Sequence, residues 1–203
     1  MESLEVGLKI MRWYDVVNFD NINPKPLLAK EGWLDVDELE LRACHSLSTW
    51  SGNAWVRSDS RESDGQPDDA LVSSFFVPIF SPRLREALQK AQITGIQYLP
   101  IRVLLSTGLE LGGFSVANVL HCSDALDLQK SNYECFPNDH PVSSKRGKVR
   151  DIRKAVLVKS KLEGADLIRL SQYKLALYAS ERFVRIFEGL GGTGLSFREV
   201  ATS

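Results

Sequence analysis

Histidine and cysteine, the side chains best suited to holding metals or starting nucleophilic chemistry, are scarce, with three of each in 203 residues. His45 follows Cys44, His121 precedes Cys122, and Cys135 and His140 lie five apart. Adjacent residues on a strand point to opposite faces, so neither adjacent pair offers two ligands to one ion, and zinc-ligand spacings are absent. His121 with Asp124 or Asp127 is a base beside a carboxylate. An Asp-rich chain produces such pairings freely, however, and no GxSxG elbow or cysteine signature accompanies this one. The sequence therefore predicts no metal, no cofactor and no catalytic residue.

Three charged or glycine-rich stretches remain. Gly189-Leu190-Gly191-Gly192-Thr193-Gly194 suggests a phosphate loop, but it follows a helical pattern instead of preceding one, and reads better as a helix C-terminal turn. The basic run Lys145, Arg146, Lys148, Arg150, Arg153 and Lys154 has the charge to touch nucleic acid but lacks interleaved aromatics for stacking, so no direct nucleic-acid partner is expected. The acidic residues Asp35, Asp37, Glu38, Glu40, Asp59, Glu62, Asp64, Asp68 and Asp69 are the candidate partner-binding set. Carboxylates arrayed this way can imitate phosphates towards a basic cleft, with Trp33, Trp50 and Trp55 nearby as aromatic anchors.

The charge distribution agrees. Residues 1–75 hold 14 Asp+Glu against 7 Lys+Arg, and residues 76–203 hold 12 against 18, giving −7 and +6 within a net −1. The apolar fraction of 43% suits a packed core, which argues against disorder. No apolar run approaches the ~20 residues of a membrane span, and Met1–Ile10 is interrupted by charges, so no membrane association and a cytoplasmic location are expected. An odd cysteine count without CxxC fits a reducing compartment, with all three thiols read as small buried side chains.

The elements that must position these residues are short. Arg12–Phe19 reads as a strand, ended by Pro24 and Pro26. Between Trp33 and Trp50, Leu39 and Leu41 alternate with Glu40 and Arg42 as on an edge strand, whereas Asp35 can cap a helix; the alternation favours a strand. Residues 58–69 read as a polar acidic loop, and Phe75–Phe80 as a buried strand. Leu99, Ile101, Val103 and Leu105 alternate, Ser106-Thr107-Gly108 can turn, and Phe114–His121 can return as a hairpin partner. Val149–Val158 and Ala165–Leu170 read as further strands.

An internal echo organises the whole. Ser81, Arg83, Thr94 and Gly95 reappear 99 residues later as Ser180, Arg182, Thr193 and Gly194. Leu84, Ala87, Leu88 and Ala91 sit at i, i+3, i+4, i+7, as do Phe183, Ile186, Phe187 and Leu190. Each copy reads as strand, serine N-cap, helix of about three turns, glycine turn and strand. The fold class is α+β: a single domain with a mixed or antiparallel sheet and two similar strand–helix–strand units at about 75–103 and 173–201. Residues 1–70 form an acidic N-terminal part and 71–203 the core.

Ser81–Leu88 leading to Gly95–Ile101, Asn118–Asp127 with Ser131-Asn132-Tyr133, and Ser180–Arg182 through Thr193–Phe197 resemble the blocks of the myxobacterial-type immunity domain, polymorphic-toxin immunity family 11, with immunity family 43 a near neighbour. The resemblance covers roughly residues 70–200. It implies a cytoplasmic antidote that binds a cognate toxin domain, often a nuclease, encoded by an adjacent gene, and it brings no catalytic residues. A small enzyme using His121 and a nucleic-acid-binding module using residues 145–154 are the alternatives.

Overall fold

The computed structural model describes residues 11–17, 28–58, 67–73 and 76–203. Pro24, Pro26 and Phe75 of the expected elements, and Asp59, Glu62 and Asp64 of the expected acidic set, lie outside these. In chain order the elements are β1 (Trp13–Val17), β2 (Leu28–Trp33), β3 (Trp55–Ser58), β4 (Ala70–Ser73), β5 (Pro78–Phe80), α1 (Pro82–Lys90), β6 (Ile96–Pro100), β7 (Arg102–Leu105), β8 (Glu110–Leu111) and β9 (Ser115–Val119). They continue with β10 (Cys122–Ser123), β11 (Asn132–Cys135), β12 (Val149–Lys154), β13 (Val156–Leu157), β14 (Leu167–Leu170), β15 (Tyr173–Ser180), α2 (Glu181–Gly189) and β16 (Ser196–Thr202). The α+β class follows directly. Among the described residues no helix is long and apolar enough to cross a membrane.

The repeat is structural. Ser81 and Ser180, both extended, accept from the backbone N–H of Leu84 and Phe183 and so cap α1 and α2. Such a cap is worth about 1 kcal/mol. The repeated apolar positions Leu84, Leu88, Phe183 and Phe187 are buried together in one core that also takes Val16, Phe80, Val119 and Leu177 from the strands. Burying each such side chain contributes about 1.5–3 kcal/mol.

The topology repeats as well. In the eight-stranded sheet, ordered β6-β9-β5-β4-β2-β3-β7-β8, the hairpin β4–β5 leads through α1 to β6, and β9 inserts antiparallel between β5 and β6. In the six-stranded sheet, ordered β10-β14-β15-β1-β16-β13, the hairpin β14–β15 leads through α2 to β16, and β1 inserts antiparallel between β15 and β16. The inserted strand comes from after the first unit and from before the second, so the common unit is larger than any contiguous repeat. Leaving room for it is why each unit needs a helical crossover instead of a tight turn.

Three expected strands need correction. Val149–Val158 is two strands broken at Ala155, β12 pairing with β11 and β13 with β16 in a different sheet. The alternating run Leu99–Leu105 is not one strand. Its inward residues are buried as the alternation requires, but the chain breaks at Ile101, placing β6 at one end of the eight-stranded sheet and β7 next to the other. A single residue joins the two, so the sheet curls until its ends meet around a core of Val56, Leu71, Ile79, Val103 and Val116. The 39–42 alternation is not an edge strand either. Glu40–Arg42 is a single 3-10 turn, because the alternation spans only two apolar positions and Leu41 alone is buried deep in that same core.

Candidate functional site

Each unit is locked at its helix start by the same constellation. Ser81 Oγ donates to Asp69 Oδ1 at 2.8 Å and Arg83 Nε to the same oxygen at 3.1 Å. Ser180 Oγ donates to Asp166 Oδ1 at 2.7 Å and Arg182 Nη1 to Asp166 Oδ2 at 2.8 Å. Each arginine also reaches the opposite unit: Arg83 Nη1 donates to Leu190 O at the end of α2, and Arg182 Nη2 to Ala91 O at the end of α1. Leu190 and Ala91 are themselves 99 residues apart, so the clamps exchange across a pseudo-twofold relation. A cation at a helix C-terminus meets the partial negative charge of its orphan carbonyls. Burial would raise the Asp69 carboxyl, but hydrogen bonds from Arg83, Ser81 and Thr193 outweigh it and hold the group below its ordinary value.

The sequence singled out Ser81, Arg83 and their echoes but not their acceptors. Asp69 and Asp166 are 97 apart, not 99, because the hairpin from Asp166 to Ser180 spans 14 positions and that from Asp69 to Ser81 only 12; a fixed-period comparison therefore misses them. This bears on the acidic set, since Asp69 is 6% and Asp68 2% exposed. Neither is displayed to a partner. Asp69 is part of the frame.

The remaining described acidic residues lie on one segment. After β2, Leu34, Val36 and Leu41 pack onto the curled sheet, while Asp37, Leu39 and Glu40 face outward. Asp35 accepts from Ser51 Oγ at 2.7 Å and from the N–H groups of Ser51 and Gly52 at 2.8 and 3.0 Å, tying down the loop that leads to β3. Asp37 Oδ1 accepts from Leu39 N at 2.7 Å, a local turn that turns Leu39 out. Glu38 pairs with Arg42 at 3.7 Å, and Glu40 lies 3.1 Å from His45 Nε2. At the end of β2 and on this segment two large apolar side chains are exposed, Trp33 at 50% and Leu39 at 65%. Trp33 stands opposite Trp55 in the β2–β3 ladder, so both rings project from one face. Trp50 is anchored by its indole N–H on Pro100 O at 2.8 Å.

The other candidates resolve as follows. His121 is exposed and neither aspartate meets it: Asp124 pairs with Lys161 at 2.6 Å, and Asp127 accepts from Ser203 Oγ at 2.9 Å. Among the described residues no group of three or more metal-ligating side chains converges. Gly189–Gly194 is a helix C-terminal turn, with Gly191 N and Gly192 N donating to Glu188 O and Phe187 O, both at 2.9 Å. Gly194 sits at φ +95°, and a Cβ there would lie 2.1 Å from Ala70 O, so only glycine lets this turn abut β4.

The basic run occupies the β11–β12 ribbon, where Glu134 bridges Arg150 and Arg153. Two aromatics that its sequence lacks, Phe136 and Tyr173, arrive by folding to line a groove with Lys145, Lys148, Arg150 and Lys174. Phe136 is already taken: His140 packs against its ring edge-on at 5.0 Å, and Lys145 Nζ lies 5.4 Å from its centroid. The cysteines are not the buried side chains expected, since Cys44 is half-buried and Cys122 and Cys135 are exposed.

The fold defines an α+β protein of two interlocked units, with Trp33 and Leu39 exposed at the end of β2 and just beyond it. The chain belongs to the immunity protein family Imm11, which matches residues 16–202. No curated protein matches it. The family is that of bacterial immunity proteins, whose partner is a cognate toxin.

Proposed function

We propose that the chain neutralises its toxin by stoichiometric binding in the cytoplasm of the producing cell, using the face built from Trp33, Asp37, Glu38, Leu39 and Glu40. Family membership supports the immunity role. The observation that carries the choice of face is the exposure of Leu39 and Trp33, 65% and 50%, among carboxylates that stay at the surface. Asp59, Glu62 and Asp64 extend the same acidic character along the chain.

A basic toxin, most simply a nuclease encoded by the neighbouring gene, is the complementary partner, because carboxylates can take the place of phosphates against the arginines and lysines that grip them. Inhibition then needs an interface of standard size, about 1,600 Å² in total, and no chemical step.

Co-expression with the toxin domain encoded next to it is the test. A 1:1 complex and rescue of growth are expected, with rescue lost in Leu39→Asp and Trp33→Ala and retained in His121→Ala. Absence of both complex and rescue defeats the immunity reading. A complex insensitive to both face variants defeats the choice of face, and loss of rescue in His121→Ala restores a catalytic one.

A further inference from the structure

Two oppositely charged surfaces lie side by side in the fold. The first is the acidic segment, where Asp37, Leu39 and Glu40 are exposed, Leu39 most of all at 65%. The second is the groove of about 420 Å³ beside the β11–β12 ribbon, with Lys145, Lys148, Arg150 and Lys174 at the surface around Val149 and Leu175. Two hydrogen bonds join them. Ala43 N donates to Glu40 O at 3.1 Å, closing the 3-10 turn, and Ala43 O accepts from Lys174 Nζ at 3.4 Å. Ala43 thus links the acidic segment to the wall of the groove.

The charge of the groove is largely unspent. Strands β11 and β12 contain two carboxylates, Glu134 and Asp151, and Glu134 is committed to Arg150 and Arg153. Among the described residues no carboxylate forms an ion pair with Lys145, Lys148 or Lys174. A phosphate polymer suits this groove poorly, because Lys145 and His140 already cover Phe136, and Asp37 and Glu40 next to the groove would repel phosphates. An acidic segment with an apolar residue at its centre suits it better, since lysine stems offer apolar walls beneath their charges. The chain itself displays such a segment.

We infer that two copies of this chain pair about a twofold axis, the Asp37–Glu40 segment of each lying in the lysine-lined groove of the other. Opposite charges set side by side make a surface complementary to a rotated copy of itself, so both contacts form together and the assembly closes as a dimer. Leu39 packs on Val149 and Leu175 of the other copy, while Asp37 and Glu40 meet Lys145, Lys148 and Lys174. These charges are exposed before pairing, so salt screens their attraction and the dimer is reversible. The pairing does not rest on the segment's contacting a toxin, and a toxin that took the segment would meet the monomer.

Sedimentation velocity on the full-length protein over a concentration series tests this with no toxin present. A reversible monomer–dimer equilibrium is expected, its Kd rising roughly tenfold or more between about 0.1 and 1 M salt as the screening length falls from about 10 to about 3 Å. Glu40→Lys and Lys148→Glu should each weaken self-association roughly tenfold with an unchanged circular-dichroism spectrum. An equimolar mixture of the two variants should dimerise again, since each reversed charge then meets its opposite. A protein monomeric throughout the series at low salt, a dimer indifferent to salt and to both reversals, assembly beyond the dimer, or a mixture that fails to pair would overturn the inference. So would a labelled single-stranded oligonucleotide that binds the wild type, is lost in Lys148→Glu and leaves the protein monomeric, which would assign the groove to nucleic acid.

Discussion

Asp69→Ala tests the clamp between the two units most directly. The carboxylate receives a hydroxyl donor from Ser81 at 2.8 Å, two guanidinium donors from Arg83, and the N–H and hydroxyl of Thr193 at 3.3 and 3.4 Å. Hydrogen bonds to a charged group are worth roughly 1.5–3 kcal/mol when buried. The Arg83 side chain is 54% exposed and regains water once unpaired, which reduces its share to under about 1 kcal/mol. Ser81 is buried and loses its acceptor for about 1 kcal/mol, and the longer Thr193 bonds add about 1 kcal/mol together. The expected loss is therefore about 2–3 kcal/mol. Asp166→Ala removes the matching serine bond and one arginine bond but no threonine contact, so it should cost about 1 kcal/mol less. Equilibrium urea unfolding measures both, as a fall in the midpoint at unchanged slope. A double-mutant cycle between Asp69→Ala and Arg83→Ala should return a coupling of about 1 kcal/mol. A loss under about 0.5 kcal/mol for Asp69→Ala, or a larger loss for Asp166→Ala, would refute the reasoning.

Gly194→Ala should destabilise by about 3 kcal/mol or more in the same assay, through both the positive φ and the collision with Ala70 O, whereas Gly164→Ala, at φ +74° in open space, should cost only about 1 kcal/mol. Hydrogen bonds from Arg12 and Arg185 hold the Glu181 carboxyl at about 2, against an ordinary 4.5. Its folded value lies below its unfolded one, so its stabilisation is complete above about pH 4.5 and drains away as pH falls towards 2; Glu181→Gln should flatten that part of a stability-against-pH curve. Leu39→Asp should weaken toxin binding at least tenfold by calorimetry while shifting Tm by no more than about 2 °C, because a side chain so exposed contributes little to folding.

Much of the frame was legible along the chain. The serine caps, the apolar i, i+3, i+4, i+7 positions and the terminal glycines announced both helices, because caps and helical periodicity are local devices whose physics lies within a dozen residues. The same locality let the Gly189–Gly194 turn be separated from a phosphate loop. The Trp33–Glu40 region was legible in composition but not in conformation: two alternating leucines do not outweigh the single deep pocket that Leu41 fills.

The chain by itself determined which segments would be helices, where they begin and end, and that two of its parts are copies. Only folding decided what those copies share. Asp69 and Asp166 fell outside the repeat's spacing, β1 and β9 were supplied from opposite ends of the units they complete, and Arg169 was buried on the carbonyls of Lys174 and Phe76. The reason is physical: periodicity and capping depend on neighbours in sequence, whereas a buried charge's partner and a strand's partner are fixed by whatever the packed sheets bring within a few ångströms.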